Sequence, residues 1–323
     1  MTEKRVKAEP FDLARSMLIL NQFEELCRLA EGICEVVPLK GIALLRTLYS
    51  ERFDRAVGDI DLLISPADRL GDYIERLQKR GYTLQFDFMS NQATRARKGK
   101  VALRASVPHL TVDVDLHTAF VTKKFFSRSV ERFNADALAR CKSEGRSLRT
   151  MDPLDEWLFL AQHACFHQYS DPKWLHDLYL LAWAISPEQW VALGERARGY
   201  GFLRVFYLTS EQLRTHYSDF PHPAPCLCGD SLFSRFVAHY RADRTRGLGR
   251  KLTSLFWEFL FIDCSWDRTK ALLSLLFPTP SLLRNIYRTN SWFMLLLLYP
   301  LNLLLSLVAG LLFLLYFFAR ARH

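Results

Sequence analysis

The sequence predicts an α+β protein in which a small mixed β-sheet precedes a helical C-terminal domain and a C-terminal transmembrane helix. Acidic and apolar residues alternate over 59–64 and 110–117, which is typical of half-buried strands. From Asp152 onward the spacing of apolar residues becomes helical, and residues 293–318 carry no charge. We expect four parts: a sheet core over 1–125, a helical domain over 126–263, an amphipathic interfacial segment over 264–290 and a transmembrane helix over 291–319.

Periodicity and turn signals place the individual elements. Residues 11–31 have apolar positions at helical spacing, and Ser65-Pro66 marks the start of a later helix. Residues 82–88 alternate as a strand. Pro153 predicts a further helix start. Residues 200–208 suit a strand by composition, but their helical neighbours favour a helix.

The segment that carries most information is Gly58-Asp59-Ile60-Asp61, at the head of an apolar run that indicates a strand. Side chains alternate between the two faces of a strand, so Asp59 and Asp61 share one face. Two adjacent like charges repel each other and raise one pKa. A divalent cation between them removes this cost, and Mg²⁺ prefers carboxylate oxygens. The alternative is an exposed acidic strand end without a metal.

A Lys-Gly pair and an arginine lie upstream of the acidic pair. Lys40-Gly41 follows a short apolar strand over 33–37 and opens a helical run to about Tyr49. A strand, a Lys-Gly turn and a helix present backbone N–H groups and a helix N-terminus to a phosphate. Arg55 is placed to neutralise a carboxylate or to reach a phosphate. The alternatives are an ordinary turn and a surface arginine.

A second acidic strand lies downstream. Within Leu110–His117, the side chains of Asp113, Asp115 and His117 fall on one face. Such a face rarely combines two acids and a histidine unless it lines a polar cleft, although an edge strand with a polar outer face is the alternative. Carboxylates from two neighbouring strands can hold two metal ions for phosphoryl transfer.

In this order, Leu39-Lys40-Gly41, Arg55, the acidic pair with Leu62 and Leu63, and Val114-Asp115-Leu116-His117 resemble the family of uncharacterised nucleotidyltransferases. These proteins are distant relatives of the polymerase-β superfamily. The resemblance covers roughly residues 15 to 185. It implies a nucleotidyltransferase-fold core and an NTP substrate.

The resemblance also implies the roles of individual residues. Asp59 and Asp61 bind Mg²⁺, with two ions expected. Asp115 is the third carboxylate and activates the acceptor hydroxyl, and Asp113 is a possible substitute for it. Lys40 and Gly41, together with Arg55, are expected on the nucleotide phosphates. The superfamily has Gly-Ser where this chain has Lys-Gly, so a serine contact to phosphate is missing.

Histidines in the helical part form a second group of polar residues. His163 and His167 are four residues apart, hence on one helical face, and Asp177 lies on the next helix. A zinc site from these three residues is one hypothesis. A polar seam facing the nucleotide cleft is favoured over it, because no HExxH glutamate is present and histidines on partly apolar helices are more often core groups.

Composition narrows the partners and the compartment. The net charge of +9 suits an anionic partner such as a nucleotide, an acidic lipid or nucleic acid, but no aromatic-basic nucleic-acid motif is present. The seven scattered cysteines favour a reducing compartment with free thiols. Residues 1–10 are charged and lack the apolar core of a secretory signal.

The uncharged C-terminal run predicts the location. As a helix, residues 293–318 extend about 39 Å, which exceeds the roughly 30 Å hydrocarbon core of a bilayer. Basic residues flank both ends, so charge alone does not orient the span. A nucleotide-using domain belongs in the cytosol. We therefore expect a single-pass membrane protein with a cytoplasmic catalytic domain and a lipid-linked or sugar acceptor.

Three functions follow from these observations. The first is a membrane-anchored nucleotidyltransferase acting on an acceptor hydroxyl. The second is a metal-dependent glycosyltransferase that uses the Asp59-Ile60-Asp61 pair, although a nucleotide-sugar-binding βαβ half is not expected in the few residues before it. The third is a catalytically silent nucleotide-binding module that kept the fold and the anchor.

Overall fold

The computed structural model describes residues 10–49, 55–85, 99–107, 110–121, 127–222, 261–287, 289 and 291–321. The chain divides into two compact units. The sheet unit combines Met1–Thr122 with Phe133–Glu156, and the helical unit combines Lys123–Arg132 with Trp157–His323. The four-part division expected from the sequence stays a prediction.

The described elements up to residue 150 alternate between helices and strands. They are α1 (Pro10–Ala30), β1 (Glu35–Leu39), α2 (Lys40–Thr47), β2 (Asp59–Ser65), a 3₁₀ turn (Ala67–Arg69), α3 (Leu70–Lys79), β3 (Thr83–Leu84), β4 (Lys100–Val107), β5 (Leu110–His117), α4 (Ser127–Arg140), β6 (Lys142–Ser143) and β7 (Arg149–Thr150).

The main sheet has five strands in the order β1-β2-β5-β4-β3. β2 and β5 run parallel, whereas the other neighbouring pairs are antiparallel. The sheet is therefore mixed, and together with the surrounding helices it confirms the predicted α+β class. The parallel pair joins the two strands whose acidic residues the sequence placed in phase.

Alternation along the strands gives the sheet one apolar and one polar face. On the apolar face, nine side chains of β2, β4 and β5 are buried: Ile60, Leu62, Ile64, Val101, Leu103, Ala105, Val112, Val114 and Leu116. Helix α1 contributes further buried side chains, among them Phe23 and Leu26. Helix α3 is joined to α1 where the Tyr73 hydroxyl donates a hydrogen bond to the Leu26 carbonyl oxygen at 2.8 Å. This core fixes which side chains point to the opposite face.

The short hairpin of β6 and β7 lies beside β1, and the sequence did not predict it. Val36 donates a backbone hydrogen bond to the Ser147 carbonyl oxygen at 2.7 Å. Arg149 forms an ion pair with Glu35 at 3.2 Å. The hairpin therefore supplies backbone partners on the outer side of β1, where an edge strand would otherwise present unpaired groups.

Several predicted elements have outcomes in the structure. The helix over 11–31 is confirmed by α1, and the helical interpretation of 200–208 is confirmed by α8 (Leu203–His216). The strand over 82–88 is observed only at Thr83–Leu84, and 86–88 lie outside the described residues. The helix expected to open at Lys40-Gly41 is observed as α2, and the change of direction after β1 falls on Lys40 itself, which has a positive φ.

The described elements of the C-terminal half are helices. They are α5 (Pro153–Phe166), α6 (Pro172–Trp183), α7 (Pro187–Gly199), α8, α9 (Ser265–Leu276), α10 (Pro280–Tyr287) and α11 (Trp292–Ala321). The sequence explains several helix starts: Asp171 caps α6, and Ser186 with Gln189 forms a capping box on α7. The remote carboxylate of Asp263 accepts the backbone N–H groups of Leu203 and Arg204 at the start of α8.

Helix α11 is the apolar segment that the sequence indicated. Its stretch Trp292–Leu312 has 21 residues and a mean hydropathy of 2.2, which is long and apolar enough to cross a membrane. Pro300 lies inside the helix. Its described apolar side chains are mostly exposed, for example Phe293 and Leu296. Length and composition alone support a span, and the placement in a membrane belongs to the proposed function.

The centre of the helical unit is an aromatic cluster around Trp157. Its ring makes edge contacts with Trp190 and Phe206 at centroid distances of 5.2 and 5.4 Å. Its indole N–H donates to the Leu178 carbonyl oxygen at 3.2 Å. Trp157 is fully buried, with 0% of its surface exposed.

Replacing Trp157 by alanine is expected to lower the free energy of unfolding by about 3–5 kcal/mol, because a large cavity remains in the core. Thermal unfolding of the full chain, followed as Tm, measures this loss. Trp183→Ala is the matched control, since Trp183 is 53% exposed, and it should stay within about 0.5 kcal/mol of the wild type. Equal Tm values for the two variants would contradict the assigned core.

Candidate functional site

The register of the parallel pair β2 and β5 brings the predicted acidic residues together. Asp59 lies opposite Asp113, and Asp61 lies opposite Asp115. His117 follows two residues later on β5, opposite Leu63. Because these positions alternate with the buried apolar ones, all four carboxylates and the imidazole share the polar face of the sheet.

Three of these side chains form a compact cluster. One ligand atom each from Asp61, Asp115 and His117 lies within 4.8 Å of the other two. Asp61 is 3% exposed and His117 is 8% exposed. Asp59 lies outside this cluster, at the start of β2, where it is exposed. The cluster therefore combines two carboxylates with a buried imidazole.

Lys40 reaches into the cluster from the start of α2. Its Nζ lies 2.6 Å from Oδ1 of Asp61. The backbone of Lys40 has φ +53°, a left-handed conformation that is uncommon for a residue with a Cβ atom. Such strain costs about 1–3 kcal/mol and is often found at functional sites. The pairing of Leu39 with Asp61 across β1 and β2 explains why the next residue meets this carboxylate.

The electrostatics of Asp61 are set by two donors on one oxygen. The ring Nε2 of His117 lies 2.9 Å from Oδ1 of Asp61, the same atom that Lys40 contacts. Burial by itself would raise the pKa of Asp61, but hydrogen bonding from His117 and the Lys40 charge outweigh it. The pKa of Asp61 therefore lies well below its ordinary value, and the carboxylate is ionised.

Asp59 has the opposite shift. Partial burial of its carboxyl and the negative charge of Asp61 raise the pKa of Asp59, and Lys40 offsets only part of this effect. The sequence predicted that two acids two residues apart would push one pKa upward, and the structure confirms this for Asp59. The two acids of the pair therefore differ in their surroundings. Asp61 is contacted by Lys40 and His117, whereas Asp59 is partly buried and repelled by Asp61.

Two basic residues of β4 balance the acids of β5. Lys100 forms an ion pair with Asp115. Arg104 contacts Asp113 in a two-pronged pair, with Nε and Nη2 at 2.6 and 3.1 Å from the two carboxylate oxygens. Because Arg104 occupies both oxygens of Asp113, the geometry favours Asp115 over Asp113 as the third carboxylate. The sequence placed Lys100 in a basic turn over 95–100 but predicted an acidic partner for neither residue.

An open groove of about 460 Å³ lies beside these acids. Asp59, Asp113 and Asp115 line it together with Gln85 and Arg104. Ala102 faces Asp115 across β4 and β5, and this small side chain leaves space at the bottom of the groove. A substrate can therefore approach the exposed oxygens of Asp59 and Asp115 from this side.

Gly41 and Arg55 form a packed pair under the start of α2. A Cβ atom added at Gly41 would lie 2.7 Å from Nη1 of Arg55, so only glycine leaves room for this guanidinium. Arg55 is buried. The Ser16 hydroxyl donates to the Arg55 carbonyl oxygen and accepts the N–H of Val57, which fixes the approach to β2. The structure thus joins Gly41 to Arg55, while phosphate binding by either stays a prediction.

The histidines of the helical unit do not form a metal-binding group with Asp177 among the described residues, where the group with suitable spacing is Asp61, Asp115 and His117. The rings of His163 and His167 lie 4.6 Å apart, and each lies 5.1 Å from the ring of Trp174. Asp177 is buried in α6. The zinc hypothesis is therefore wrong for the described geometry, and these rings form an aromatic cluster.

His117 is a candidate metal ligand to which the sequence pattern assigned no role. Its signal was present, since it follows Asp113 and Asp115 in strand phase. Two carboxylates and an imidazole are suitable ligands for a divalent cation, because both donor types occur in protein metal sites. The residues present therefore fit a bound metal.

The mixed sheet thus presents carboxylates on adjacent strands, next to a lysine at a helix start, in a group that could hold a divalent cation. Residues 11–217 match the family described as uncharacterised nucleotidyltransferases. This match covers more than half of the 323 residues, and the chain belongs to that family. No protein of curated function and no solved structure matches the chain.

The opposite pKa shifts predict opposite effects on stability. Asp61→Asn should lower the Tm of the metal-free protein at pH 7, because it removes the ionised partner of Lys40 and His117. Asp59→Asn should leave the Tm unchanged or raise it, because it removes a repelled charge. Asp72→Asn, an exposed residue paired with Arg69, is the neutral control. A Tm loss in Asp59→Asn as large as that in Asp61→Asn would contradict these assignments.

The lowered pKa of Asp61 also predicts how the Tm loss in Asp61→Asn depends on pH. The folded-state pKa of Asp61 is lowered, so its contribution to stability is complete above the unfolded-state pKa of about 3.9. The Tm difference between wild type and Asp61→Asn should therefore narrow as the pH falls below about 4. A Tm difference that widens as the pH falls would contradict a lowered pKa for Asp61.

Proposed function

We propose that this protein is a metal-dependent nucleotidyltransferase that moves a nucleotidyl group from an NTP to an acceptor hydroxyl. The observation that carries the proposal is the convergence of Asp61, Asp115 and His117, with ligand atoms within 4.8 Å of one another, in a chain of the nucleotidyltransferase family. Asp59 is proposed as a further ligand at the exposed end of the same strand. The expectation of two Mg²⁺ ions at Asp59, Asp61 and Asp115 stays a prediction.

The reaction forms a bond between the acceptor oxygen and the α-phosphorus and breaks the bond from that phosphorus to the bridging oxygen, so that pyrophosphate leaves. A bound divalent cation supplies charge neutralisation at the transferred phosphoryl group. Asp115 lines the open groove, and it is proposed to take the acceptor proton. The remaining effect of the protein is positioning, which fixes the reactants for in-line attack.

Lys40, Gly41 and Arg55 differ in burial, and a different role at the phosphates is proposed for each. Lys40 lies at the N-terminus of α2 and is partly exposed, so it is proposed to contact the triphosphate when a metal charge replaces it at Asp61. Gly41 is proposed to let phosphate approach the same helix end. Arg55 is buried over Gly41, and we propose that it positions this helix start and adds positive charge behind the phosphates.

The apolar helix supports a location at the membrane. We propose that α11 crosses the bilayer once, with the catalytic part in the cytoplasm. Helices α9 and α10 precede it with the exposed Trp266 and with Arg284, whose guanidinium lies 5.0 Å from the ring centre of Trp292. Aromatic and basic residues at such a position suit a membrane interface. An acceptor at the bilayer, lipid-linked or sugar-bearing, is consistent with this location.

Nucleotidyl transfer is tested with purified full-length protein, NTPs labelled at the α-phosphate, a divalent metal and membrane extract. Asp59→Asn, Asp61→Asn and Asp115→Asn should each reduce label transfer about 100-fold or more, because each removes charge at the phosphoryl group. Asp72→Asn should transfer label like the wild type. Label transfer by the three site variants at the wild-type rate would refute the proposal, and tight NTP binding without turnover would favour the silent nucleotide-binding module.

Membrane insertion is tested by alkaline carbonate extraction of membranes that contain the full chain. The wild type should stay with the membrane. Leu305→Arg combined with Leu312→Arg should release it, since each arginine near the helix centre costs about 2.5–3.5 kcal/mol on insertion. Leu305→Ala with Leu312→Ala is the matched control and should stay inserted. Release of the wild-type protein by carbonate would exclude the span.

A further inference from the structure

We infer that His117 is a direct metal ligand and makes this centre select Mn²⁺ over Mg²⁺. The inference rests on the proposed function for the presence of a metal. It concerns which cation the chain is built to hold, and it names a nitrogen donor that the predicted all-carboxylate set did not contain.

The placement of His117 carries the first step. It is the last residue of β5, on the same face as Asp115, and its register partner on β2 is the apolar Leu63. Its Nε2 is directed at Oδ1 of Asp61, 2.9 Å away, and the residue is 8% exposed. The strand geometry therefore delivers a buried nitrogen to the carboxylate at the centre of the site.

The arrangement around Oδ1 of Asp61 carries the second step. Two nitrogens, Nζ of Lys40 and Nε2 of His117, meet at this one oxygen. Lys40 and Lys100 hold Asp61 and Asp115 by ion pairs, and both lysines have flexible stems and partly exposed side chains. A cation that enters can replace the two ammonium groups. His117 has a short, buried side chain, so it stays within reach of the metal position.

The two cations differ in the ligand atoms that they prefer. Mg²⁺ strongly prefers oxygen ligands and near-ideal octahedral geometry. Imidazole suits the first-row transition metals, whereas carboxylate and water suit both Mg²⁺ and Mn²⁺. A set of two carboxylates and one imidazole therefore favours a first-row transition ion over Mg²⁺, and Mn²⁺ is the one among them that also suits carboxylate and water. A site that used only Asp59, Asp61 and Asp115 would give a smaller preference, because it offers no nitrogen donor.

The competing role for His117 is to orient Asp61 through a hydrogen bond without touching the metal. A residue in that role would support Mg²⁺ and Mn²⁺ alike, because it acts on the carboxylate and not on the ion. The two roles are therefore separated by metal selectivity and by direct detection of a nitrogen–metal bond.

The experiment uses metal-free full-length protein in detergent. Mn²⁺ and Mg²⁺ are titrated calorimetrically, and the Mn²⁺ complex is examined by electron spin-echo spectroscopy for coupling to ¹⁴N. We expect tighter binding of Mn²⁺ than of Mg²⁺ and a ¹⁴N coupling in the wild type. His117→Asn should weaken Mn²⁺ binding at least about 10-fold, change Mg²⁺ binding little and abolish the coupling.

His117→Asp and Asp61→Asn complete the comparison. His117→Asp replaces nitrogen by oxygen and should narrow the Mn²⁺ preference, whereas Asp61→Asn should weaken both metals. Absence of ¹⁴N coupling in wild-type protein with bound Mn²⁺ overturns the inference, as does equal weakening of both metals by His117→Asn. The wild-type spectrum decides the question even if a His117 variant fails to fold.

The same samples separate this inference from the proposed function. Mn²⁺ selectivity with ¹⁴N coupling but no label transfer from any NTP supports the metal assignment and refutes the transferase. Label transfer that requires Asp61 and shows no metal preference, with no ¹⁴N coupling, supports the transferase and refutes metal ligation by His117.

Discussion

The parallel pairing of β2 with β5 is the constraint on which the candidate site depends. Its register sets Asp61 beside Asp115, and the buried face beneath holds that register through Leu62 and Leu116. A shift of one residue would turn the acids of one strand into the core and its apolar side chains toward the groove. The cost of burying a charge without a partner prevents this shift, so the hydrophobic core and the site specify each other.

Charge compensation explains how four carboxylates coexist on one face of the sheet. Lys40, Lys100 and Arg104 each pair with a different acid, and these basic residues come from the strand or helix next to the acid. Partial burial of Asp59, together with repulsion by Asp61, raises the pKa of this carboxyl. A site organised in this way tolerates a high density of acidic side chains, because each paired acid has a basic neighbour.

The start of α2 combines three unusual features within a few residues. Lys40 has a left-handed backbone, Gly41 leaves the space that Arg55 occupies, and Ser16 holds the backbone that leads into β2. Each feature costs conformational freedom or strain, and together they place one ammonium group against one carboxylate. Strained backbone conformations that orient one side chain are common at functional sites. The apolar helix α11, by contrast, depends only on its length and composition.

The sequence by itself determined the α+β class, the acidic pair of β2, the phase of Asp113, Asp115 and His117, and the apolar helix α11. These are local patterns, because strand alternation and helical spacing depend on neighbours along the chain. Tertiary structure alone decided that Asp115 and His117 meet Asp61, that Arg104 engages Asp113, and that Gly41 accommodates Arg55. The hairpin β6–β7 also escaped prediction, since its strands have only two residues each and an isolated bridge from Leu148 to Val36 links it to β1. Contacts between residues far apart in sequence are set by packing and register, which no local pattern encodes.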